Sequence, residues 1–395
     1  MSKENSTPFI EPWIDPDGWN AADFESLETP CYVVSETRLE QNLEILREVQ
    51  QKTGAKILMA LKSFSMFSMF PVIRGYLAGS EASSVHEARL GSEEFGGETH
   101  SFSPSYSEKN IEDFIKYSDH LVFNSFSQWN RLKYTIKKSS KKVSCGIRVN
   151  PEHSETENPL YDPSGPNSHF GVTRKNFEPE NLEGIEGIHF HNLCELNADA
   201  LQRTLQVVEQ NFGEFLAEMK WINFGGGHHI TRKDYDLELL CNIINGFKLR
   251  YPHLEVYLEP GEAIALNAGV LVSSVIDITK NKTDIAVLDA SATTHMPDVL
   301  EMPYLPTILG AGNGGNQYKL VGPTCLTGDI IGDYSFQSPL SIGNKLIFMN
   351  MAIYTMVKNT TFNGINLPAI AIMKKTGEIK IIREFGYSDF KDRLS

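Results

Sequence analysis

Ala55-Lys-Ile-Leu-Met-Ala-Leu-Lys62-Ser-Phe64 is an apolar, strand-like run that ends in a lysine. Similar short runs recur downstream, separated by helix-like stretches. The strand candidates are 56–60, 81–83, 99–103, 120–124, 143–149, 187–191, 221–224 and 255–259. Helical patterns lie between them, for example 199–219 and 234–250. Eight strands, each followed by a crossover, is the pattern of a (β/α)8 TIM barrel.

The pattern changes after residue 264. Runs rich in Val, Ile and Leu at 270–279, 284–289, 318–321, 345–350 and 369–373 follow one another without long helices. Gly, Pro and Asn punctuate them, which predicts a mostly antiparallel β-domain. Residues 30–35, ahead of the barrel, form another short strand expected to join that sheet. The Asn- and Gly-rich stretch 310–317 reads as a loop. The expected division is an N-terminal segment 1–36 that joins the β-domain, a barrel 37–264 and a C-terminal β-domain 265–395.

The chain has 395 residues, 41% hydrophobic and 22% charged, which is ordinary for a globular enzyme. The formal net charge of −14 argues against a nucleic-acid partner, whose phosphates demand clustered Lys and Arg. No apolar run approaches the ~18 residues of a membrane span, and the polar start Met1-Ser-Lys-Glu-Asn-Ser-Thr-Pro8 lacks a signal-peptide core. The five cysteines, at 31, 145, 194, 241 and 325, are scattered. A cytoplasmic, reducing compartment is the expectation.

In a TIM barrel, chemistry sits at the C-terminal ends of the strands. Lys62 follows the first strand, and an amine backed by apolar neighbours suits Schiff-base chemistry with an aldehyde. His191, in Gly-Ile-His-Phe-His191-Asn, ends the sixth and offers a flat ring for stacking. Gly225-Gly226-Gly227 follow the seventh, where such barrels hold phosphate. Glu259 ends the eighth and can pair with a pyridinium nitrogen. Together they describe a pocket for an aromatic, phosphorylated, aldehyde-bearing cofactor, pyridoxal 5'-phosphate (PLP). Each also has a plainer reading: a solvated lysine, a core histidine, a tight turn, a surface carboxylate. A metal site built on His189, His191 and Cys194 is the rival for the histidines. His228 and His229 could add a phosphate donor. Gly322-Pro-Thr-Cys325-Leu-Thr-Gly-Asp329 reads as a loop that presents a cysteine.

These residues, with Ala60-Leu-Lys62, Glu259-Pro-Gly261 and Tyr354-Thr, resemble the fold-type III PLP decarboxylases, relatives of alanine racemase that include ornithine and diaminopimelate decarboxylases. Ser83-Ser-Val-His-Glu87, His191-Asn-Leu-Cys-Glu195, Ile222-Asn-Phe-Gly-Gly-Gly-His-His229 and Leu288-Asp-Ala-Ser-Ala-Thr-Thr-His-Met-Pro-Asp298 are most similar to the carboxynorspermidine/carboxyspermidine decarboxylase branch. The resemblance runs from about residue 29 to 385 and implies decarboxylation of a carboxy-polyamine to norspermidine or spermidine. It implies that Lys62 carries the cofactor, His191 stacks on its ring and Glu259 holds its nitrogen. Gly225–Gly227 and Tyr354 would bind the phosphate, with Arg148 and Glu81 nearby. Cys325, from the partner subunit of a homodimer, would protonate the product.

Two departures stand out. Ornithine-type enzymes carry a phosphate-gripping arginine just after Glu-Pro-Gly, where this chain has Glu262. The residue after Cys325 is Leu326 rather than an acid. A cationic tail needs carboxylates, and Asp298, Glu301 and Asp329 are the candidates for substrate binding. No metal is expected. The competing readings are a decarboxylase of a smaller diamino acid and a non-catalytic PLP-binding regulator; Glu259 disfavours a racemase.

Overall fold

A computed structural model describes residues 11–156 and 158–395. The polar start of the chain, residues 1–8, on which the localisation expectation rests, falls outside them. The chain divides into two compact units, one of residues 40–264 and one of residues 1–39 with 265–395.

The first strand, β1 (Cys31–Ser35), belongs to the second of these units. Residues 40–264 hold a closed parallel barrel of eight strands: β2 (Lys56–Ala60), β3 (Gly79–Ala82), β4 (Glu98–Phe102), β5 (His120–Phe123), β6 (Ser144–Arg148), β7 (Gly187–His189), β8 (Trp221–Asn223) and β9 (Glu255–Leu258). Closure comes from β9 pairing back onto β2, with Lys56 opposite Tyr257 and Ile57 opposite Leu258. The sequence placed all eight, but the sixth stops at His189 rather than His191, so His191 stands beyond the ladder. The outer helices begin where side chains satisfy free N–H groups. Asn197 caps Ala198–Leu216, and Asp236 caps Leu237–Arg250 by accepting from the Leu239 N–H at 2.9 Å.

The barrel interior is filled by Leu58, Phe102, Val122, Trp221 and Tyr257. Trp221 lies where its neighbours carry no side chain: a Cβ on Gly187 would sit 2.1 Å from its ring, and one on Gly146 2.3 Å. At the N-terminal end of the barrel, Lys56 bridges Glu98 at 2.5 Å and Glu255 at 2.9 Å, while the Tyr257 hydroxyl donates to Glu98 at 2.9 Å.

The other unit is an eight-stranded sheet. Its further strands are β10 (Gly269–Asn281), β11 (Thr283–Leu288), β12 (Ala311–Val321), β13 (Ile330–Phe336), β14 (Lys345–Met349), β15 (Ala369–Met373) and β16 (Ile379–Arg383). The order is β13-β12-β11-β10-β1-β15-β16, with β14 also on β10. Pairing is antiparallel except for β1 with β15 and β11 with β12. β1 is buried at every position, as a central strand should be.

Residues 310–317, expected as a loop, are a correction: all but Gly310 belong to β12. Both Ala311 and Asn316 face Phe336, so the residues between them bulge from the ladder. Gly314 and Gly315 take positive φ there, which is why the stretch carries turn-like residues inside a strand. β13 and β16 went unread. Gly332 and Asp333 interrupt the apolar pattern of the first, and the second is an exposed edge strand. No helix among the described residues is long and apolar enough to cross a membrane.

The fit around Trp221 makes Gly187→Ala an over-packing change. It should destabilise the protein by roughly 1–3 kcal/mol, and Trp221→Leu in the same chain should recover much of the loss. Denaturant midpoints measure both; an unchanged midpoint in Gly187→Ala would refute the packing.

Candidate active site

Six neighbouring strands of the barrel deliver polar side chains to one end. Lys62 stands two residues past β2, half-buried, and has no hydrogen bond or ion pair among the described residues. Glu81, the penultimate residue of β3, is buried, and its carboxyl group accepts from the Ser83 hydroxyl at 3.3 Å. Burial, then the like charge of Glu259, pushes its pKa up to about 8, against the pull of Lys62. Arg148, the last residue of β6, is buried; it donates to the His191 carbonyl at 2.8 Å and lies over the rings of Phe102 and Phe170 at 4.5 and 4.6 Å. Burial lowers its pKa to about 10.

Glu259 follows β9 and is 4% exposed. Each carboxylate oxygen has one protein donor. His189, at the end of β7, meets Oε2 through Nε2 at 3.1 Å, and Asn223, at the end of β8, donates to Oε1 through Nδ2 at 2.6 Å. Burial drives a carboxylate up; the charge that His189 takes up in acid and its hydrogen bond, with help from His100 and Asn223, outweigh it and hold Glu259 below the usual range. It is an ionised, oriented carboxylate inside the protein.

Asn223 also accepts the Gly225 N–H at 2.8 Å, which ties the glycine turn to Glu259. The His191 Nδ1 accepts the Gly226 N–H at 3.2 Å and fixes that ring. Burial, then Lys62 and Arg148, hold the His191 pKa well below its ordinary value, so the imidazole is neutral. The three glycines are required by close approach. A Cβ on Gly225 would lie 2.4 Å from the Phe190 carbonyl, one on Gly226 2.4 Å from the Glu259 carbonyl, and one on Gly227 1.9 Å from the Leu193 carbonyl. Gly225 and Gly227 have φ of +70° and +82°. Two of the three N–H groups expected for phosphate are thus already spent on protein acceptors. The next two, of Gly227 and His228, have no partner among the described residues. Consecutive free N–H groups in a buried turn suit an anion.

The position of the missing arginine is also resolved. Glu262 is hydrogen-bonded to His229, and Glu195 lies within 4.8 Å of both. Burial and then Glu262 raise the Glu195 pKa to about 7. His229 is therefore turned to Glu262 rather than free to donate to a phosphate. Glu195 was visible only as part of a motif, because its partner comes from 67 residues further along the chain. The metal reading on His189, His191 and Cys194 also changes: the group whose donor atoms converge is His189, His191 and Glu259, without Cys194. The Cys194 thiol is pushed up to about 12 by burial.

Within the β-domain unit, Cys325 is exposed, and its N–H is held by the Asn363 side chain at 2.8 Å. Tyr354 has φ +49°, a strained value for a bulky residue. Asp329, expected to meet a substrate cation, is engaged within the protein. It is 2% exposed and accepts from the hydroxyls of Ser291 and Thr324 and from the Thr293 N–H, at 2.7–3.1 Å. It fastens its own loop and has little left for a substrate cation. Asp298 and Glu301 both clasp the Lys358 ammonium, so an amine reaching them would have to replace a lysine.

The comparisons with known proteins agree with this geometry. The pyridoxal-dependent decarboxylase family model, described by its C-terminal sheet domain, matches residues 31–352. A carboxyaminopropylagmatine decarboxylase from Synechocystis is 43% identical over 93% of this chain and 96% of its own. A carboxynorspermidine/carboxyspermidine decarboxylase from Campylobacter jejuni is 42% identical over 94% of this chain and 99% of its own. The crystal structure of a C. jejuni carboxynorspermidine decarboxylase complexed with norspermidine superposes with a TM-score of 0.87, at 41% identity, covering 93% of this chain and 100% of that one.

Asp329→Asn should loosen the cysteine loop, since an amide must turn a donor toward hydroxyls and an N–H. Leaving such groups unsatisfied costs about 1–3 kcal/mol. A lowered unfolding midpoint is expected; an unchanged one would show that the carboxylate does not fasten the loop.

With a matching family model over most of the chain and near-full-length relatives above 40% identity, this protein belongs to the pyridoxal-dependent decarboxylase family.

Proposed function

We propose that this protein is a PLP-dependent carboxy-lyase that removes CO2 from carboxynorspermidine or carboxyspermidine in polyamine biosynthesis. The observation that carries the reading is the buried, ionised Glu259, held by His189 and Asn223 at the barrel end that also bears Lys62. A group with an aldehyde, a flat ring and a phosphate fits the residues present. Bound PLP supplies an electron sink for the carbanion left by CO2.

The side chains have separate tasks. Lys62 would hold the cofactor through its side-chain amine. The His191 ring, fixed by Gly226, supports one face. Glu259 keeps a proton on the ring nitrogen. The Gly227 and His228 N–H groups would hold the phosphate in place of an arginine. Arg148 anchors the His191 segment. Glu81, protonated below about pH 8, can sit beside Lys62 without adding a second buried negative charge. Cys325, supplied by the partner in a homodimer, returns a proton to the carbon that lost CO2; its exposure supports that role. The free cysteines support a reducing, cytoplasmic setting.

The Synechocystis relative supports a second substrate, carboxyaminopropylagmatine, whose tail ends in a guanidinium rather than an ammonium. CO2 release should therefore be measured with all three carboxylated compounds and with ornithine, lysine and diaminopimelate. One or more of the three should be turned over with the highest kcat/KM; efficient use of diaminopimelate would overturn the substrate class. Lys62→Ala should abolish turnover.

The shared-site reading has its own test. Mixing inactive Lys62→Ala and Cys325→Ala proteins under subunit exchange should restore about a quarter of full activity, because half the dimers then hold one intact site. Formation of heterodimers with no activity would refute it.

A further inference from the structure

We propose that His189 is a positioning residue, which keeps Glu259 ionised and aimed by presenting a neutral Nε2–H to one of its oxygens. The inference rests on the reading of Glu259 as the partner of the cofactor's ring nitrogen. It goes beyond that reading by assigning the state of the carboxylate to a second side chain.

The geometry fixes the tautomer. His189 is 1% exposed, with Nε2 at 3.1 Å from Glu259 Oε2. Its Nδ1 is buried and has no partner among the described residues. A bare lone pair there is tolerable; an Nδ1–H would be a buried donor with no acceptor. The proton therefore belongs on Nε2, and the ring is neutral. The ring is packed nearly parallel to Phe102, 5.7 Å between centres at 21°. The charged and titratable groups facing it agree. Burial dominates and disfavours the imidazolium; Arg148 from β6 and Lys62 beyond β2 oppose it further, and only Glu259 favours it. His191 lies 6.4 Å away, and Glu81 and His100 complete the surroundings through their effect on Glu259.

Neutrality is what matters chemically. A protonated His189 would cancel the negative charge of Glu259 and leave little to hold a proton on a pyridine nitrogen. A neutral donor orients the carboxylate and leaves its charge intact. The Asn223 amide does the same at the other oxygen, so Glu259 carries two neutral donors and a full charge for its ligand.

The test uses the holoenzyme loaded with PLP labelled with 15N in the ring. The 15N chemical shift reports protonation of that nitrogen as pH is varied, and kcat and KM are measured on the same samples. His189→Phe keeps a flat ring against Phe102 and removes the donor. It should lower the midpoint of the ring-nitrogen titration by about one pH unit or more, the scale of losing a hydrogen bond to a charged group. kcat should fall and KM change little. His189→Gln restores a neutral donor and should bring the midpoint back toward wild type, a recovery that a purely structural role for the histidine would not give. An unchanged midpoint and kcat in His189→Phe would overturn the proposal. Should that variant not fold, a midpoint in His189→Gln far from wild type would overturn it as well. Glu259→Gln separates the two readings. If it leaves the nitrogen's titration as in wild type, the assignment of Glu259 itself has failed; if it abolishes protonation while His189→Phe does nothing, only the role of His189 has.

Discussion

A carboxylate cannot be buried without donors, and Glu259 is buried among three strand ends. Its two oxygens require one donor each from β7 and β8, which is where His189 and Asn223 stand. The same Asn223 reaches the Gly225 N–H and sets the first residue of the glycine turn. That turn in turn fixes His191 through Gly226. Glu259, the His191 ring and the glycine turn are therefore one hydrogen-bonded unit rather than three separate features. The scaffold allows it because closure of the barrel holds the ends of β7, β8 and β9 at fixed neighbouring positions.

The opposite end of the barrel meets the same electrostatic problem differently. There Glu98 is partly exposed and is answered by a lysine, a tyrosine and His100. Full cationic pairing leaves no charge available to a ligand. At the active end the donors to Glu259 are neutral, and the cations, Lys62 and Arg148, are turned to other work. The contrast separates a carboxylate that holds strands together from one that acts on something else.

Much of this was legible from residue types and spacing. The eight strands could be placed because buried parallel strands announce themselves as short apolar runs, and Lys62, His191, Gly225–Gly227 and Glu259 because each breaks such a run at its C-terminal end. What pairs with what could not be read. The link from His189 to Glu259 crosses 70 residues and the one from His229 to Glu262 crosses 33, and no local pattern encodes either. The same limit hides the partners of the acidic residues. Asp329 stands four residues after Cys325 and reads as a pocket carboxylate, yet Ser291, Thr293 and Thr324 consume it. Residues 311–317 read as a loop because a bulged strand uses the residues of a turn.

Glu262 shows how a departure at one position is absorbed by its neighbours. A carboxylate in place of a phosphate-gripping arginine would repel the anion if it faced the pocket. Here it is captured by His229, and Glu195, whose pKa is raised to about 7, can share the burden of charge by holding a proton. The Glu262 charge is thus answered by a neighbour, and the Gly227 and His228 N–H groups keep no protein acceptor among the described residues. Backbone donors cannot change their charge with pH, whereas the Glu259 end depends on the ionisation of that carboxylate and the neutrality of His189. Sensitivity to pH is in this way concentrated at the Glu259 end and kept away from the glycine turn.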